Sequence, residues 1–370
     1  MSNVENPKLL QQFTQHIGSE GSGVNTPKNV EAEQSLYPYT ALQNSLSEDR
    51  QCMFADINGT TEKQGVSNEE LYETLTGNHI GIVNVTSLFL TEVVDLIHAG
   101  TIQLPHAVAT KNGTKLYGTK MEAFSKNPTE ITEDDFIFDQ RYANQMTNNG
   151  YNKEALVQQA RGEFFNLIAN DFIGLAIDHQ QEDRGDKWKT SGDEYELVCD
   201  VAVPTDSEIT PDAIVEYARA YYDKFSVFLM HNGNSTDGNQ RRYGLFVLPK
   251  GIGKHSAINY LFEEMNLSGA MFAGDSQNDA SAMLGDYGRN AEYILRVPVG
   301  GSRPELLEEI ARKATGRETP HWRELALEGA TIWEYKETDT TKTGPESLNK
   351  AVLQAIKIPR AQKYSERRNQ

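Results

Sequence analysis

The sequence is poor in cysteine and lacks long apolar runs. Its 370 residues include only two cysteines, Cys52 and Cys199, which are too few for a disulfide framework. Both lie in apolar, strand-like tracts, so we expect buried, reduced thiols. No segment reaches the length of a membrane span, and the first residues are polar, unlike a signal peptide. These absences predict a cytoplasmic protein that does not insert into a membrane.

Positive charge is also scarce. Lysine and arginine total 35 and aspartate and glutamate total 53, which gives a formal net charge of −18. Proteins that bind nucleic acids or anionic membranes do so largely by neutralising phosphates with lysine and arginine. The composition therefore argues against both of these partners.

Two apolar runs, far apart in the sequence, each lead to an aspartate. Residues 53–60 read MFADINGT and residues 271–279 read MFAGDSQND. A buried parallel strand that ends in this way delivers its last side chain to a crevice at the sheet edge. If Asp56, Asp275 and Asp279 converge there, they offer an all-oxygen site for Mg²⁺, and the Gly59-Thr60 turn can wrap a phosphate group. This arrangement predicts phosphoryl-transfer chemistry.

Strand-like and helical tracts alternate along the chain, as is typical of a doubly wound, parallel α/β sheet. Core strands are predicted at 52–55, 80–85, 106–110, 270–273 and 293–297, with a late edge strand at 330–333, and core helices near 88–99 and 344–357. A mixed α+β region lies between them, with a helix through Leu156 and Ile168, strands at 195–203 and 226–230, and a helix at 211–223. The predicted domains are a polar extension (1–48), a core (49–147 and 241–360), an inserted cap (148–240) and a tail (361–370).

The motifs resemble those of the haloacid dehalogenase superfamily of phosphotransferases, whose first motif reads D-x-D-G-T and whose fourth reads G-D-x-x-x-D. Residues 82–86 form a hydrophobic strand ending in Thr86, like the second motif, and residues 248–254 resemble the third. All four occur in the right order. The tract 104–114 is similar to the sucrose-phosphatase-like and Cof-like branch, which inserts a C2-type cap between motifs two and three. The resemblance implies a Rossmann-like core and a Mg²⁺-dependent phosphatase.

The resemblance also implies roles for individual residues. Asp56 would attack phosphorus and become an aspartyl-phosphate, while Lys254 and Thr86 would hold the phosphoryl oxygens beside Ser87. The metal ligands would be Asp56, the main-chain carbonyl of Asn58, and Asp275, and Asp279 would either bind the ion or orient the other ligands. Relatives usually continue the second motif as T-G-R, whereas this chain reads Thr86-Ser87-Leu88.

Asn58 stands where relatives carry the aspartate that protonates the leaving oxygen and then activates water. An amide can do neither, and the loss of such acid–base help typically costs about 10²–10⁴ in rate. Three explanations remain open: a trapped variant of an active phosphatase, a natural enzyme whose substrate handles its own protons, or a pseudoenzyme that binds a phosphorylated ligand. A phosphotransferase or mutase of the same fold is a further alternative.

Substrate specificity is expected in the cap. Polar and aromatic side chains there can bind sugar hydroxyls, although an exposed polar loop explains each of them equally well. The candidates for contacting a sugar or glycoside phosphate are Lys187, Lys189, His231, Asn232 and Arg242, with Trp188, Asn234 and Arg241 nearby.

Overall fold

The computed structural model describes residues 37–48, 50–62, 68–147, 196–208, 210–221, 225–234, 238–284, 293–299, 306, 322–327, 330–335 and 345–356. The helices in these ranges are α1 (Thr40–Ser45), α2 (Glu69–Gly77), α3 (Leu90–His98), α4 (Gln140–Thr147), α5 (Pro211–Tyr221), α6 (Lys254–Met265), α7 (Gln277–Leu284) and α8 (Pro345–Ala355). None of these helices is long and apolar enough to cross a lipid bilayer.

The described strands form two sheets. In chain order they are β1 (Gln51–Ala55), β2 (Gly81–Val85), β3 (Ala107–Thr110), β4 (Lys115–Thr119), β5 (Phe136–Phe138), β6 (Leu197–Pro204), β7 (Phe225–Asn234), β8 (Gln240–Pro249), β9 (Gly269–Gly274), β10 (Tyr293–Pro298), β11 (Trp322–Leu327) and β12 (Ala330–Tyr335). Nine of them make the main sheet in the order β11, β12, β10, β9, β1, β2, β3, β4, β5. The strands from β12 to β3 are parallel, and antiparallel strands extend both edges. The predicted parallel α/β core is confirmed.

Helices cover both faces of the main sheet. Successive residues of a strand point to opposite faces, so neighbouring residues of β1 pack against different helices. On β1, Met53 joins a buried cluster with Leu71 of α2 and Leu348 of α8. The next residue, Phe54, stacks on Phe262 of α6, with 6.0 Å between ring centroids. A strand buried on both faces reads as a continuous apolar run, which is the pattern that identified β1 in the sequence.

The remaining strands form a small antiparallel sheet in the order β6, β8, β7, and α5 packs on β7. In the chain this sheet lies between motifs two and three, where the α+β insertion was predicted. The predicted boundary at residue 241 falls inside β8, which pairs with β7 through Pro249. The division into core and cap stays a proposal, and we now place the return to the core after Pro249.

Part of the predicted polar extension packs against the main sheet. The hydroxyl of Tyr39, next to α1, donates a hydrogen bond to Asp139 Oδ2 at 2.8 Å. Pro38 lies so close to β4 that a Cβ on Gly118 would meet its carbonyl oxygen at 1.5 Å, so only glycine fits there. The segment that begins at Pro38 therefore rests on the core.

Three strands of the main sheet were not predicted, and one prediction was wrong in detail. Strands β4 and β11 have mixed composition, and β5, although apolar, is only three residues long. Residues 330–333 do form a strand, but β12 is not at the edge, because β11 pairs with it antiparallel from Trp322 to Leu327. The helix predicted through Leu156 and Ile168 lies outside the described residues.

Candidate active site

The predicted functional residues gather at the carboxyl ends of the central parallel strands. Asp56 follows β1, Thr86 follows β2 and Asp275 follows β9, and β1 lies between the other two. The register pairs Ala55 of β1 with Ala273 of β9, so these two strands end at the same level of the sheet. The crevice beyond the strand ends is the usual place for a ligand site in an open α/β sheet.

Three carboxylates converge there. One oxygen from each of Asp56, Asp275 and Asp279 lies within 4.8 Å of the others, and Asp56 and Asp279 are buried. Gly59, at φ +73°, brings the loop against this cluster: a Cβ on it would lie 2.6 Å from Asp275 Oδ2. Hard divalent cations prefer carboxylate oxygens, and a glycine turn leaves room beside them. These residues fit a Mg²⁺ ion.

Lys254, the first residue of α6, supplies a buried cation. Its Nζ lies 2.9 Å from Asp56 Oδ1 and 2.6 Å from Asp279 Oδ1. Burial opposes its charged form, but the carboxylates of Asp279 and Asp56 prevail and raise the pKa of Lys254, so the side chain stays protonated. Lys250, the other lysine of the third motif, is exposed in the turn after β8. One ammonium facing three carboxylates leaves an excess of negative charge, which a divalent cation would balance.

Asp279 is held by its neighbours. Its Oδ2 accepts hydrogen bonds from the main-chain N–H groups of Asp275 (3.1 Å) and Ser276 (3.0 Å) and from the Ser276 hydroxyl (2.9 Å). Its Oδ1 faces Lys254. Asp279 thereby caps the start of α7 and fixes the turn that carries Asp275, which favours the orienting role over direct metal binding.

The buried environment changes the acidity of Asp56. Burial raises the pKa of Asp56 to about 7; the ammonium of Lys254 opposes this rise, and the carboxylates of Asp279 and Asp275 add to it. A cation bound by these carboxylates would favour the ionised form. Asp56 therefore has the environment of a carboxylate that reacts or binds metal, not that of a surface turn residue.

Thr86 is buried at the end of β2. Its main-chain carbonyl accepts a hydrogen bond from the Asn112 N–H at 2.8 Å, and its hydroxyl accepts one from the Leu88 N–H at 3.3 Å. Ser87 is half-buried beside it. Thr60, in the turn after Asp56, is fully buried, and its part in phosphate binding stays a prediction.

Asn58 is exposed at the turn after Asp56 and forms an isolated bridge with Glu62. The same turn is closed by the Thr61 hydroxyl, which donates to the Asp56 carbonyl at 2.9 Å. The side chain at position 58 is thus exposed to solvent, two residues after Asp56.

The predicted substrate contacts of the insertion are spread out. Lys187 and Lys189, with Trp188, lie outside the described residues. His231 and Asn232, expected in a turn, lie within β7, where the pairing with β8 is irregular between His231 and Asn234. Arg242 is exposed on β8, and Arg241 donates to the Ser207 carbonyl at 3.0 Å. Their part in substrate binding remains a prediction.

Sequence reasoning missed one group beside the site. Lys111 and Asn112 follow β3, and both contact Glu196, which precedes β6. The KNG sequence at 111–113 lies in the tract 104–114 that resembles the sucrose-phosphatase-like branch, but no local pattern links it to Glu196.

A cleft of about 420 Å³ lies elsewhere, among residues that include Ile82, His106 and Phe124. Ile82 and His106 lie at the amino-terminal ends of β2 and β3, whereas Asp56 lies at the carboxyl-terminal end of β1. The converging carboxylates and Lys254 indicate that the candidate active site lies instead at the carboxyl ends of the strands.

Comparisons with known proteins agree with this reading of the fold. The sucrose-phosphatase of Synechocystis sp. PCC6803, solved in complex with sucrose and phosphate, is 15% identical with a TM-score of 0.50, covering 82% of this chain and 97% of that one. A Thermotoga maritima protein (13% identity, TM-score 0.37, 70% and 90% covered) and a HAD subclass IIB sugar phosphatase (13%, 0.36, 70% and 91%) are more distant. No protein-family model and no curated protein sequence matches. At these identities the likeness establishes the fold alone, and it is the fold that the four motifs predicted.

Proposed function

We propose that this protein is a Mg²⁺-dependent phosphatase that hydrolyses a small phosphorylated metabolite, namely a sugar or glycoside phosphate. The observation that carries the proposal is the convergence of Asp56, Asp275 and Asp279 around the ammonium of Lys254 at the carboxyl ends of β1 and β9. Phosphoryl transfer gains mainly from positioned charge, and this cluster provides charge of both signs within a few ångströms.

Asp56, Asp275 and the main-chain carbonyl of Asn58 would hold the Mg²⁺ ion, with Asp279 fixing their orientation. When bound, the ion would neutralise charge on the phosphoryl oxygens and position them for attack. The fit rests on the donor chemistry of the three carboxylates and on the space that Gly59 leaves beside Asp275.

The chain's own residues would divide the reaction into two steps. In the first, an Asp56 oxygen forms a bond to phosphorus while the bond to the leaving sugar oxygen breaks. Lys254, and Thr86 beside Ser87, would hold the phosphoryl oxygens. In the second, water takes the phosphoryl group from Asp56 and regenerates the carboxylate. Asn58 can hydrogen-bond to the leaving oxygen or to the water but cannot transfer a proton, so both steps would be slow.

A sugar phosphate is the substrate class that the architecture supports best. The fold is shared along most of its length with a phosphatase whose structure contains sucrose and phosphate. In this chain a small sheet of β6, β7 and β8 is inserted in the sequence after the second motif, and we propose that it meets the part of the substrate beyond the phosphate. Because the metal and phosphate contacts are common to all phosphomonoesters, selectivity must come from that second region.

Asn58 favours a second candidate, a phosphotransferase that passes the phosphoryl group to an acceptor other than water. An amide slows the activation of water more than it slows attack by an acceptor that arrives with its own base. The two candidates share the aspartyl-phosphate at Asp56 and differ only in what removes the phosphoryl group.

Activity assays on a panel of sugar phosphates, with and without Mg²⁺, test the proposal. We expect slow phosphate release that requires Mg²⁺ and is abolished by Asp56→Asn and by Asp275→Asn. Release that persists in Asp56→Asn, or that proceeds equally in EDTA, would contradict it. Transfer to an added sugar without release of phosphate would favour the phosphotransferase.

A further inference from the structure

One side chain from the segment that enters the small sheet contacts a loop beside the candidate active site. Glu196 immediately precedes β6, and 0% of its surface is exposed. Its Oε1 accepts a hydrogen bond from Asn112 Nδ2 at 2.7 Å, and its Oε2 lies 3.0 Å from Lys111 Nζ. A fully buried carboxylate needs such partners, because removing it from water is otherwise strongly unfavourable.

The partners of Glu196 belong to a loop of unusual backbone conformation, residues 111–113. Lys111, Asn112 and Gly113 have φ values of +50°, +56° and +85°. Consecutive residues in the left-handed region are strained when they are not glycine, and they persist only where the surroundings fix them. Glu196 contacts the side chains of both non-glycine residues, so it is part of what fixes them.

The same loop touches two groups that the proposed function assigns to phosphate binding. The Asn112 N–H donates to the Thr86 carbonyl at 2.8 Å. On the other side, a Cβ on Gly113 would lie 2.4 Å from the Gly253 carbonyl oxygen, directly before Lys254. A displacement of the loop would therefore move Thr86, Lys254 or both.

The ammonium of Lys111 is a buried charge that has Glu196 as its counter-ion. It is almost fully buried, lies 3.0 Å from Glu196 Oε2, and lies 3.9 Å above the ring centre of Phe89, three residues after Thr86. An aromatic face stabilises a cation only partly, so without Glu196 the buried charge would lack its counter-ion and the loop would have to move to reach water.

We propose that Glu196 is a positioning residue for catalysis, which couples the entry of the small sheet to the phosphate-binding residues through the 111–113 loop. This inference rests on the proposed function. It gives the inserted segment a role in the rate of phosphoryl transfer, beyond meeting the substrate. A misplacement of about 1 Å at a reacting group can cost on the order of 10²-fold in rate.

The test uses the full chain with Asn58→Asp, so that turnover is fast enough to measure. In that background Glu196→Ala should lower kcat about 10- to 100-fold on a small phosphomonoester. Mg²⁺ affinity, measured by calorimetry, should change by less than about twofold, because the groups that Glu196 holds, Lys111 and Asn112, are not ligands of the proposed metal site. Glu196→Gln keeps an acceptor for Asn112 and should retain more activity than Glu196→Ala.

Two further variants separate positioning from general stability. Lys111→Met combined with Glu196→Ala removes both charges and should recover part of the lost kcat, because no uncompensated ammonium remains. The matched control is Glu264→Ala, which breaks another ion pair between separate segments, with Arg141 at 2.8 Å, away from the site. It should leave kcat and KM unchanged.

Hydrogen exchange of the Asn112 amide gives a readout that needs no catalysis. Its exchange should accelerate in Glu196→Ala and not in Glu264→Ala, as the bond to Thr86 loosens. If the Asn58→Asp parent is inactive, the proposed function fails. Hydrogen exchange of the Asn112 amide then still tests whether Glu196 holds the 111–113 loop. If the parent is active and Glu196→Ala matches it in kcat and in Asn112 exchange, the inference is wrong. If Glu196→Ala does not fold, Glu196→Gln and Lys111→Met decide by the same two measurements.

Discussion

At position 58 an amide stands two residues after the proposed nucleophile, exposed on the turn that leaves β1. An amide donates and accepts hydrogen bonds but does not transfer protons at neutral pH. The metal ligand expected from this residue is its main-chain carbonyl, which any side chain leaves in place. The residue should therefore control rate and not metal binding.

Replacing Asn58 with Asp should raise turnover of a sugar phosphate by at least about 100-fold, because proton transfer to the leaving oxygen and from water becomes possible. Steady-state kinetics should show most of the gain in kcat and little change in KM. Asn58→Gln, which alters size without adding an acid, is the control. An unchanged rate with Mg²⁺ still bound would indicate a ligand-binding protein.

His106, just before β3, shows how burial keeps an imidazole ring neutral. Its Nδ1 accepts a hydrogen bond from the Ile82 N–H at 3.1 Å, and its ring stacks on Phe124. Burial, which disfavours the charged imidazolium, lowers the pKa of His106 to about 4. Between pH 4 and 6.5 the unfolded chain therefore binds more protons at this site than the folded chain does.

Stability should fall as the pH falls through this window, and His106 should account for about 2–3 kcal/mol of the loss between pH 7 and 4.5. In His106→Asn the side-chain oxygen can still accept from Ile82 but does not titrate. Urea unfolding at the two pH values should show a smaller loss in this variant. Identical losses in the two proteins would contradict the assignment.

The turn between β1 and α2 shows how an element sets the geometry of the site. Gly59 combines a φ of +73° with a close approach to Asp275, where a Cβ would lie 2.6 Å from the carboxylate oxygen. Gly100, which follows α3, has a similar φ of +68° but open space around it. The two glycines separate backbone strain from crowding at the carboxylates.

Gly59→Ala should weaken Mg²⁺ binding at least about tenfold, because the new methyl group displaces Asp275 from the cluster. Gly100→Ala should cost about 1 kcal/mol of stability from the unfavourable φ and leave Mg²⁺ affinity unchanged. Calorimetric titration with Mg²⁺ and urea unfolding measure both effects. Equal Mg²⁺ affinities in the two variants would show that the Gly59 turn does not shape the metal site.

Over the whole molecule, the sequence predicted the structure best where a buried, apolar strand ends at a side chain of the candidate site. Strands β1 and β9 are apolar runs that end at Asp56 and Asp275, so both the strands and their meeting point followed from periodicity and parallel topology. Strands β4 and β11 have mixed composition and form only because a neighbouring strand offers an edge. Their existence depends on tertiary pairing, which no local pattern records.

The contact of Glu196 with Lys111 and Asn112 could not be predicted for the same reason. Asn112 lies 84 positions before Glu196 in the chain, and nothing near Glu196 distinguishes it from a surface glutamate. The capping of the Ser276 N–H by Asp279 is the opposite case: Ser276 and Asp279 have the spacing of a capping box, so the sequence contained that signal.

The proposed aspartyl-phosphate at Asp56 is tested most directly by mass spectrometry of the chain after incubation with acetyl phosphate and Mg²⁺. Acetyl phosphate has a leaving group that needs no acid, so Asn58 should slow hydrolysis of the intermediate more than its formation. We expect one added phosphoryl group on the peptide that contains Asp56, removable by hydroxylamine, absent in Asp56→Asn and shorter-lived in Asn58→Asp. A chain that acquires no phosphoryl group, or acquires it equally in Asp56→Asn, would contradict the account.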